Sequence, residues 1–428
     1  MAHVVIIGAG LGGMSAAFEI KAALGASHQV TVVGEGGWFS FTPSNPWVAI
    51  GWRAPADVQL DAGAALAKRG IAFTGVPATE LHPARNRMDL ADGRSLDYDY
   101  LVITTGPQLA FDEVPGLGPE TGFTQSVCTT PHATQAWQAY QAFLKDPGPM
   151  VIGAAQGASC FGPAYEFAMI VDADLRRRKL RDRVPMSFVT PEPYIGHMGL
   201  GGVGDSKGLL ETELRQRHIK WVTNARIDKV EEARMHVIEH DERGKPLQPH
   251  ELPFRYAMVI PAFTGVALLR GIEGLVNPRG FVLIDANQCN PKYPNVFAAG
   301  VCVAIPPVEA TPVATGAPKT GFMIESMVDA VATNIKAAID GRPFTAEATW
   351  NAVCLADMGD TGIAFVALPQ IPPRNVTWAK KGRWVHVAKV AFEKYFMHKV
   401  RAGNIGPFYE EGVLKLLGIT RLKRRASA

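Results

Sequence analysis

The first two dozen residues constrain this chain more than any other stretch. His3-Val4-Val5-Ile6-Ile7 is an apolar run rich in β-branched residues, and it leads directly into Gly8-Ala9-Gly10-Leu11-Gly12-Gly13. Gly8, Gly10 and Gly13 match G-x-G-x-x-G, and residues 11–24 continue with Ala-rich helical periodicity. Strand, glycine turn and helix in that order build a dinucleotide site. The glycines allow a tight turn, a close approach of backbone to pyrophosphate, and close helix–strand packing. The helix start adds unpaired N–H groups and a positive dipole end. A purely structural glycine turn is the competing reading, and the flanking strand and helix weigh against it. Residues 29–33 form a second strand, after which an acid should meet a ribose hydroxyl. Glu35 comes one position late, in Val32-Val33-Gly34-Glu35, so it reads equally as a ribose ligand or a solvated loop charge.

A chain of 428 residues exceeds what one core usually organises. The expected class is α/β, with two Rossmann-like dinucleotide-binding domains and a C-terminal amphipathic helical, membrane-associating region. The first domain is expected over 1–112 and again over 276–342, around a second over 113–275. The C-terminal region takes 343–428. A net charge of +3 gives no reason to expect nucleic acid as a partner. Its distribution says more. From Val376 onward, twelve Lys/Arg face three Asp/Glu, a local balance of +9 that leaves −6 elsewhere.

FAD is the expected dinucleotide. Tyr100-Leu101-Val102-Ile103-Thr104-Thr105-Gly106 resembles the strand-then-Thr-Gly segment of two-dinucleotide-domain flavoproteins. Asn295-Val296-Phe297-Ala298-Ala299-Gly300 resembles their late flavin-contacting strand. These resemblances imply cofactor contacts at Thr105, Gly106 and Gly300. The late motif ordinarily ends Gly-Asp, but Val301 follows Gly300 here, leaving backbone N–H groups to hold the ribityl and phosphate. A second fingerprint belongs near Gly153-Ala154-Ala155-Gln156-Gly157-Ala158, with Ala at the middle and last glycine positions. A Cβ there crowds a pyrophosphate. The next strand ends Val189-Thr190-Pro191, with no acid at the ribose position. The second domain therefore reads as a dinucleotide fold that no longer binds NAD(P)H.

Five cysteines do not make a disulfide scaffold in a chain this long. Cys160, in Ser159-Cys160-Phe161-Gly162-Pro163, follows the degenerate loop near the start of a helix expected over 158–178. Such a position lowers a thiol pKa. Cys128 enters the second domain in Val127-Cys128-Thr129-Thr130, and Cys354 lies near the apparent boundary of the C-terminal region. No Cys-x-x-Cys exists, so a redox pair has to join distant segments. Cys289 and Cys302 read as buried small hydrophobes. Spacing alone does not separate the other three from that reading.

Several segments carry a more specific likeness. Phe41-Thr42-Pro43-Ser44-Asn45-Pro46-Trp47, Ala158-Ser159-Cys160-Phe161-Gly162-Pro163-Ala164-Tyr165-Glu166, Pro193-Tyr194-Ile195-Gly196-His197, Gly204-Asp205-Ser206-Lys207-Gly208, Pro318-Lys319-Thr320-Gly321 and Asn351-Ala352-Val353-Cys354 are similar to segments of the bacterial sulfide:quinone oxidoreductases. The chain resembles that family over nearly its whole length. The resemblance implies that Cys160 and Cys354 form a bridged redox pair on one flavin face. Hydrosulfide attacks the bridge, leaving a persulfide and a thiolate, the latter at Cys354, and electrons pass to FAD. Cys128 matches the family's third cysteine. Glu166 is positioned to move a proton, or is a plain helix-paired carboxylate. Lys319 is expected at the N-terminus of a helix over 318–339, where ammonium and dipole stabilise reduced flavin. His132 and His197 are similar to quinone-side or proton-path histidines, structural roles being the plain alternative. Phe41, Phe392 and Tyr409 match aromatics of a quinone pocket, and Leu355 stands where relatives carry an aromatic.

Residues 384–397 put Val385, Ala388, Phe392 and Tyr395/Phe396 near one helical face, and Arg421, Lys423, Arg424 and Arg425 follow an apolar stretch. Aromatic faces with flanking bases suit an interfacial anchor, against a core or dimerisation helix as the alternative. No run of about 18 apolar residues and no signal-peptide pattern is present. The expected location is peripheral on the cytoplasmic membrane, with sulfide, a membrane quinone and the lipid bilayer surface as partners and a homo-oligomeric state. Two alternatives are the flavin subunit of a sulfide dehydrogenase donating to a cytochrome and a non-catalytic flavin-binding membrane protein.

Overall fold

The apolar N-terminal run becomes the middle strand of a five-stranded parallel sheet in the computed structural model, which describes residues 1–403. His3–Ile7 pairs with Gln29–Val33 on one side and Tyr100–Ile103 on the other. Ala72–Thr74 extends one edge, and Val296–Ala298 returns from far along the chain to form the other. Val4 and Ile6 pack into one core cluster and Val5 and Ile7 into another, so the strand is apolar throughout because both its faces are covered. Val282 is tied to Val276 and Val303 only by isolated bridges.

The α-helices among the described residues are α1 (Leu11–Leu24), α2 (Asn45–Val48), α3 (Ala62–Ala67), α4 (Thr130–Lys145), α5 (Gly162–Arg177), α6 (Ser206–Gln216), α7 (Gly321–Ile339) and α8 (Arg383–Ala402). α1 and α7 pack together over the first sheet. A second parallel sheet runs in the order Ile219–Val222, Met186–Val189, Met150–Ala154, Tyr256–Ile260, with α5 against it. Asp172 of α5 is fully buried and accepts from Arg176 (2.8 Å), Arg181 (2.6 Å) and Arg217 (2.8 Å). A buried carboxylate is tolerable when paired in this way, and this one ties the end of α5 to the end of α6.

Three expectations about boundaries change. α5 starts at Gly162, so Cys160 precedes it. α7 starts at Gly321 with Thr320 as its cap, so Pro318 and Lys319 also lie outside the helix. The C-terminal region is not helical from its start. Ala352–Asp357, Gly362–Leu368 and Val376–Gly382 first form an antiparallel sheet, and only then does α8 begin. Gly362–Leu368 is almost wholly buried, which removes the alternation that marks a half-exposed strand.

The aromatic face of α8 also turns the other way from the expected anchor. Phe396 is buried against Phe39 and Phe41, at ring distances of 6.2 and 5.3 Å. Phe392 lies 5.8 Å from Phe41. Core packing claims these rings, while Trp384 and Val387 are the exposed apolar residues of the helix. No helix among the described residues is long and apolar enough to cross a membrane. Tyr409 and the basic stretch 412–425 lie outside the described residues.

Candidate active site

The first glycine loop, Thr104–Gly106, Gly300–Cys302 and Lys319–Gly321 follow strand ends or precede a helix start, around the C-terminal edge of the first parallel sheet. That edge is where open α/β sheets bind ligands. The glycines divide into two kinds. A Cβ on Gly8 would lie 2.4 Å from the Thr104 carbonyl oxygen, and one on Gly13 would lie 1.7 Å from that of Gly8. Those two are required by the protein's own packing. Gly10 has an ordinary extended backbone (φ −82°), and a Cβ there would meet nothing within 4 Å. Gly321 is similarly open. Neither internal crowding nor left-handed backbone demands glycine at these two positions, so the room they leave suits a group from outside the chain. The residues fit FAD, with the pyrophosphate at the first loop and the start of α1.

Lys319 is buried there. Its ammonium donates to the Val301 carbonyl (3.2 Å) and lies 4.4 Å from the Phe281 ring centre. Burial lowers its pKa to about 8. The neighbouring Cys302 is buried, its thiol bonded to the carbonyls of Ile103 (3.2 Å) and Ala299 (3.3 Å). Glu35 is exposed on the loop after its strand.

The second loop is closed by the chain itself. The Gly157 N–H donates to Ala314 (2.7 Å), and the Gly316 N–H returns to Ala158 (2.8 Å). The Gln156 amide pairs with both backbone groups of Ile227, at 3.0 Å each. Glu192, just past the expected ribose position, is fully buried and accepts from Tyr165 (2.7 Å), Thr190 (2.7 Å) and the Met198 N–H (2.6 Å). These groups serve the fold, and the segment around residues 314–316 lies across the place for a second pyrophosphate.

Three of the five free cysteines converge. α5 and α8 both pack on the strand Ala352–Asp357, which brings Cys354 toward Cys160. Cys128 precedes α4, whose Thr129 cap accepts the His132 N–H. Burial, reinforced by charge from Cys128, Cys354 and Glu166, pushes the Cys160 thiol up to about 12. The expectation of a lowered Cys160 pKa is thus corrected: the thiol precedes α5, and desolvation outweighs any dipole. Burial pushes Cys128 and Cys354 to about 11, the latter against the pull of Lys389.

Glu166 is buried and raised to about 7, chiefly by desolvation, with Lys389 opposing and Asp357 reinforcing. Lys389 donates to its carboxylate and lies 5.1 Å from the Trp47 ring centre. Removing one partner of such a buried pair strands the other charge, which typically costs about 3–5 kcal/mol. Glu393, one helical turn on, accepts from Ser44 (2.5 Å) and Arg53 (2.9 Å). Sequence reasoning missed Lys389 and Glu393. The available signal was a polar stripe, His386-Lys389-Glu393, at i, i+3, i+7 of an amphipathic helix.

Each of the two expected histidines pairs with a glutamate. His132 pairs through Nε2 with Glu120 (2.6 Å), and its buried Nδ1 has no hydrogen-bond partner among the described residues. His197 pairs with Glu309 (2.8 Å), and burial lowers its pKa.

Two nucleotide-type sheets, one open glycine cradle and one closed loop define a flavoprotein of the two-dinucleotide-domain class. The family model described as pyridine nucleotide-disulphide oxidoreductase matches residues 2–159. The sulfide-quinone reductase of Aquifex aeolicus is 42% identical over 97% of this chain and 94% of its own length. The crystal structure of the sulfide:quinone oxidoreductase from the same bacterium superposes with a TM-score of 0.93 at 40% identity, covering 98% of this chain and 96% of that one. The mitochondrial sulfide:quinone oxidoreductase of Mus musculus is 25% identical over 71% of this chain and 66% of its length. The chain belongs to the sulfide:quinone oxidoreductase family.

Proposed function

We infer that this chain is an FAD-dependent enzyme that oxidises sulfide and passes the electron pair to a quinone. The observation that carries the reading is the convergence of Cys128, Cys354 and a buried Glu166 on Cys160, in a chain whose only open dinucleotide-type glycine loop among the described residues is the first. Cys160 and Cys354 act as the bridged pair. Hydrosulfide attacks one sulfur and forms a persulfide there as the S–S bond breaks and a thiolate leaves. Lys389 favours the thiolate of Cys354, which supports that residue as the leaving group. Glu166 accepts the sulfide proton, and Cys128 exchanges sulfur with the bridge. FAD, when bound, supplies two-electron transfer between sulfur and quinone. Gly8, Gly10, Gly13, Thr105, Gly106 and Gly300 hold it, and Lys319 faces its developing negative charge. Phe41 and Phe392 belong to the quinone side, and His132 and His197 serve its protons.

Purified protein should reduce decylubiquinone with sulfide, while micromolar NADH leaves the flavin oxidised because the second loop is closed. Turnover with NADH at a rate comparable to sulfide would overturn this reading.

The quinone lives in the bilayer, and the outer side of α8 suits a lipid surface. Trp384 and Val387 are exposed there beside exposed Lys380, Arg383, Lys394 and Arg401. A homo-oligomer with several such faces gains avidity. Burial of Trp and Val side chains is worth about 2 kcal/mol each, and every ~1.4 kcal/mol is tenfold in affinity. Trp384→Glu combined with Val387→Glu should therefore lower co-sedimentation with anionic vesicles at least tenfold. Undiminished binding would contradict this face as the contact.

A further inference from the structure

Asp357 lies three residues after Cys354, and the sulfur chemistry above does not use it. Its carboxylate is fully buried, yet four donors converge on it. They are Trp47 Nε1 (2.8 Å), His386 Nδ1 (2.8 Å), and the backbone N–H groups of Met358 (2.9 Å) and Gly359 (3.1 Å). These fill the acceptor positions of a carboxylate. Pairing with a carboxylate assigns the ring hydrogen of His386 to Nδ1 and leaves Nε2 as the exchanging atom. The His386 side chain is 32% exposed, so one end of this pair reaches water.

The other end adjoins Glu166. The Asp357 backbone lies close enough to favour the Glu166 carboxylate, while the Asp357 charge repels it. The groups facing Glu166 are Lys389 from α8, Asp357 from the strand and Cys160 from the loop before its own helix. Arg53 and Glu393 pair on the same inner side of α8. Glu166 itself is only 5% exposed, so a proton it takes up needs a way out.

We propose that Asp357 and His386 form a positioning dyad for the sulfide half-reaction, with Asp357 orienting His386 as the solvent-side exchanger for the proton that Glu166 accepts. The inference rests on the reading of Glu166 as that acceptor. Each hydrosulfide that becomes bridge sulfur gives up one electron pair and one proton. The pair goes through FAD to quinone. The proton goes to Glu166, and His386 Nε2 releases one proton to water or buffer per turnover.

The test is rapid mixing of flavin-replete protein with sulfide across a pH series, with wild type, His386→Ala, Asp357→Asn and Glu166→Gln compared under identical conditions. A general acid–base group contributes roughly 10²–10⁴-fold, and a partly exposed relay should contribute at the low end. His386→Ala should slow flavin reduction at least about tenfold, and added imidazole should restore it in proportion to its unprotonated form. Asp357→Asn should move the acid limb of the profile to lower pH, because the charge repelling Glu166 is gone. His386→Ala with wild-type rate and profile overturns the dyad. So does a loss that imidazole leaves unrepaired in folded, yellow protein. The Glu166 variant separates the two readings. A wild-type rate in Glu166→Gln defeats the acceptor assignment, whereas a slow Glu166→Gln beside an unaffected His386→Ala defeats the dyad alone.

Discussion

Cys354→Ser protein should remain yellow and lose sulfide-dependent quinone turnover by at least about a thousandfold, the scale on which removing a covalent nucleophile acts. Serine fits the strand Ala352–Asp357 without a change of register, so the fold and flavin cradle should survive. What disappears is sulfur: a hydroxyl neither carries a persulfide nor leaves as an anion near neutral pH. Cys160→Ser should fail to the same degree, because the bridge needs both ends. Cys289→Ser is the control. That thiol bonds to the Pro294 carbonyl (3.3 Å), remote from the triad, and hydroxyl replaces it. Substantial turnover in Cys354→Ser, measured as sulfide-dependent decylubiquinone reduction, would remove Cys354 from the chemistry.

Gly10→Val should fold and purify colourless. The backbone at Gly10 is extended, with φ −82° and ψ −164°, which a β-branched residue tolerates. Apart from its own chain neighbours, no atom of the described residues stands within 4 Å of the added Cβ, so the apoprotein meets no clash at that atom. The cost falls on the pyrophosphate, which loses its close approach to the N–H groups at the start of α1. Overpacking costs about 1–3 kcal/mol, and pushing phosphates off their donors adds to it. FAD affinity should fall at least about a hundredfold, equivalent to roughly 3 kcal/mol. Gly13→Val is the contrast. Its Cβ would lie 1.7 Å from the Gly8 carbonyl oxygen, so that variant should destabilise the fold itself. Full flavin occupancy in Gly10→Val, read from the visible spectrum and melting curve together, would refute the cradle.

Local chemistry made the first domain legible. A glycine turn between strand and helix has few structural solutions, and Gly8–Gly13 adopt the expected one. The failed second fingerprint was legible for the same reason, although the closing segment around Ala314 and Gly316 was not, since it comes from far along the chain. Recognition of the three cysteines depended on family likeness, because spacing says nothing about which distant segments meet. The C-terminal region was the hardest to read. Gly362–Leu368 is buried on both sides, so its apolar run carried no period to identify a strand. Lys389 and Glu393 are charges that a helical wheel assigns to solvent. They face inward only because Glu166, Ser44 and Arg53 wait there, and those partners cannot be read from the helix. The same blindness assigned the aromatic face of α8 to a lipid surface, when Phe39 and Phe41 supply its partners.

The most direct test is one anaerobic titration of the purified holoprotein, followed in the visible spectrum. Sulfide should bleach the flavin, and subsequent decylubiquinone should restore the oxidised spectrum, one quinone per flavin. NADH in place of sulfide should do nothing. A flavin that sulfide leaves oxidised, or one that sulfide reduces but quinone does not reoxidise, would contradict the account.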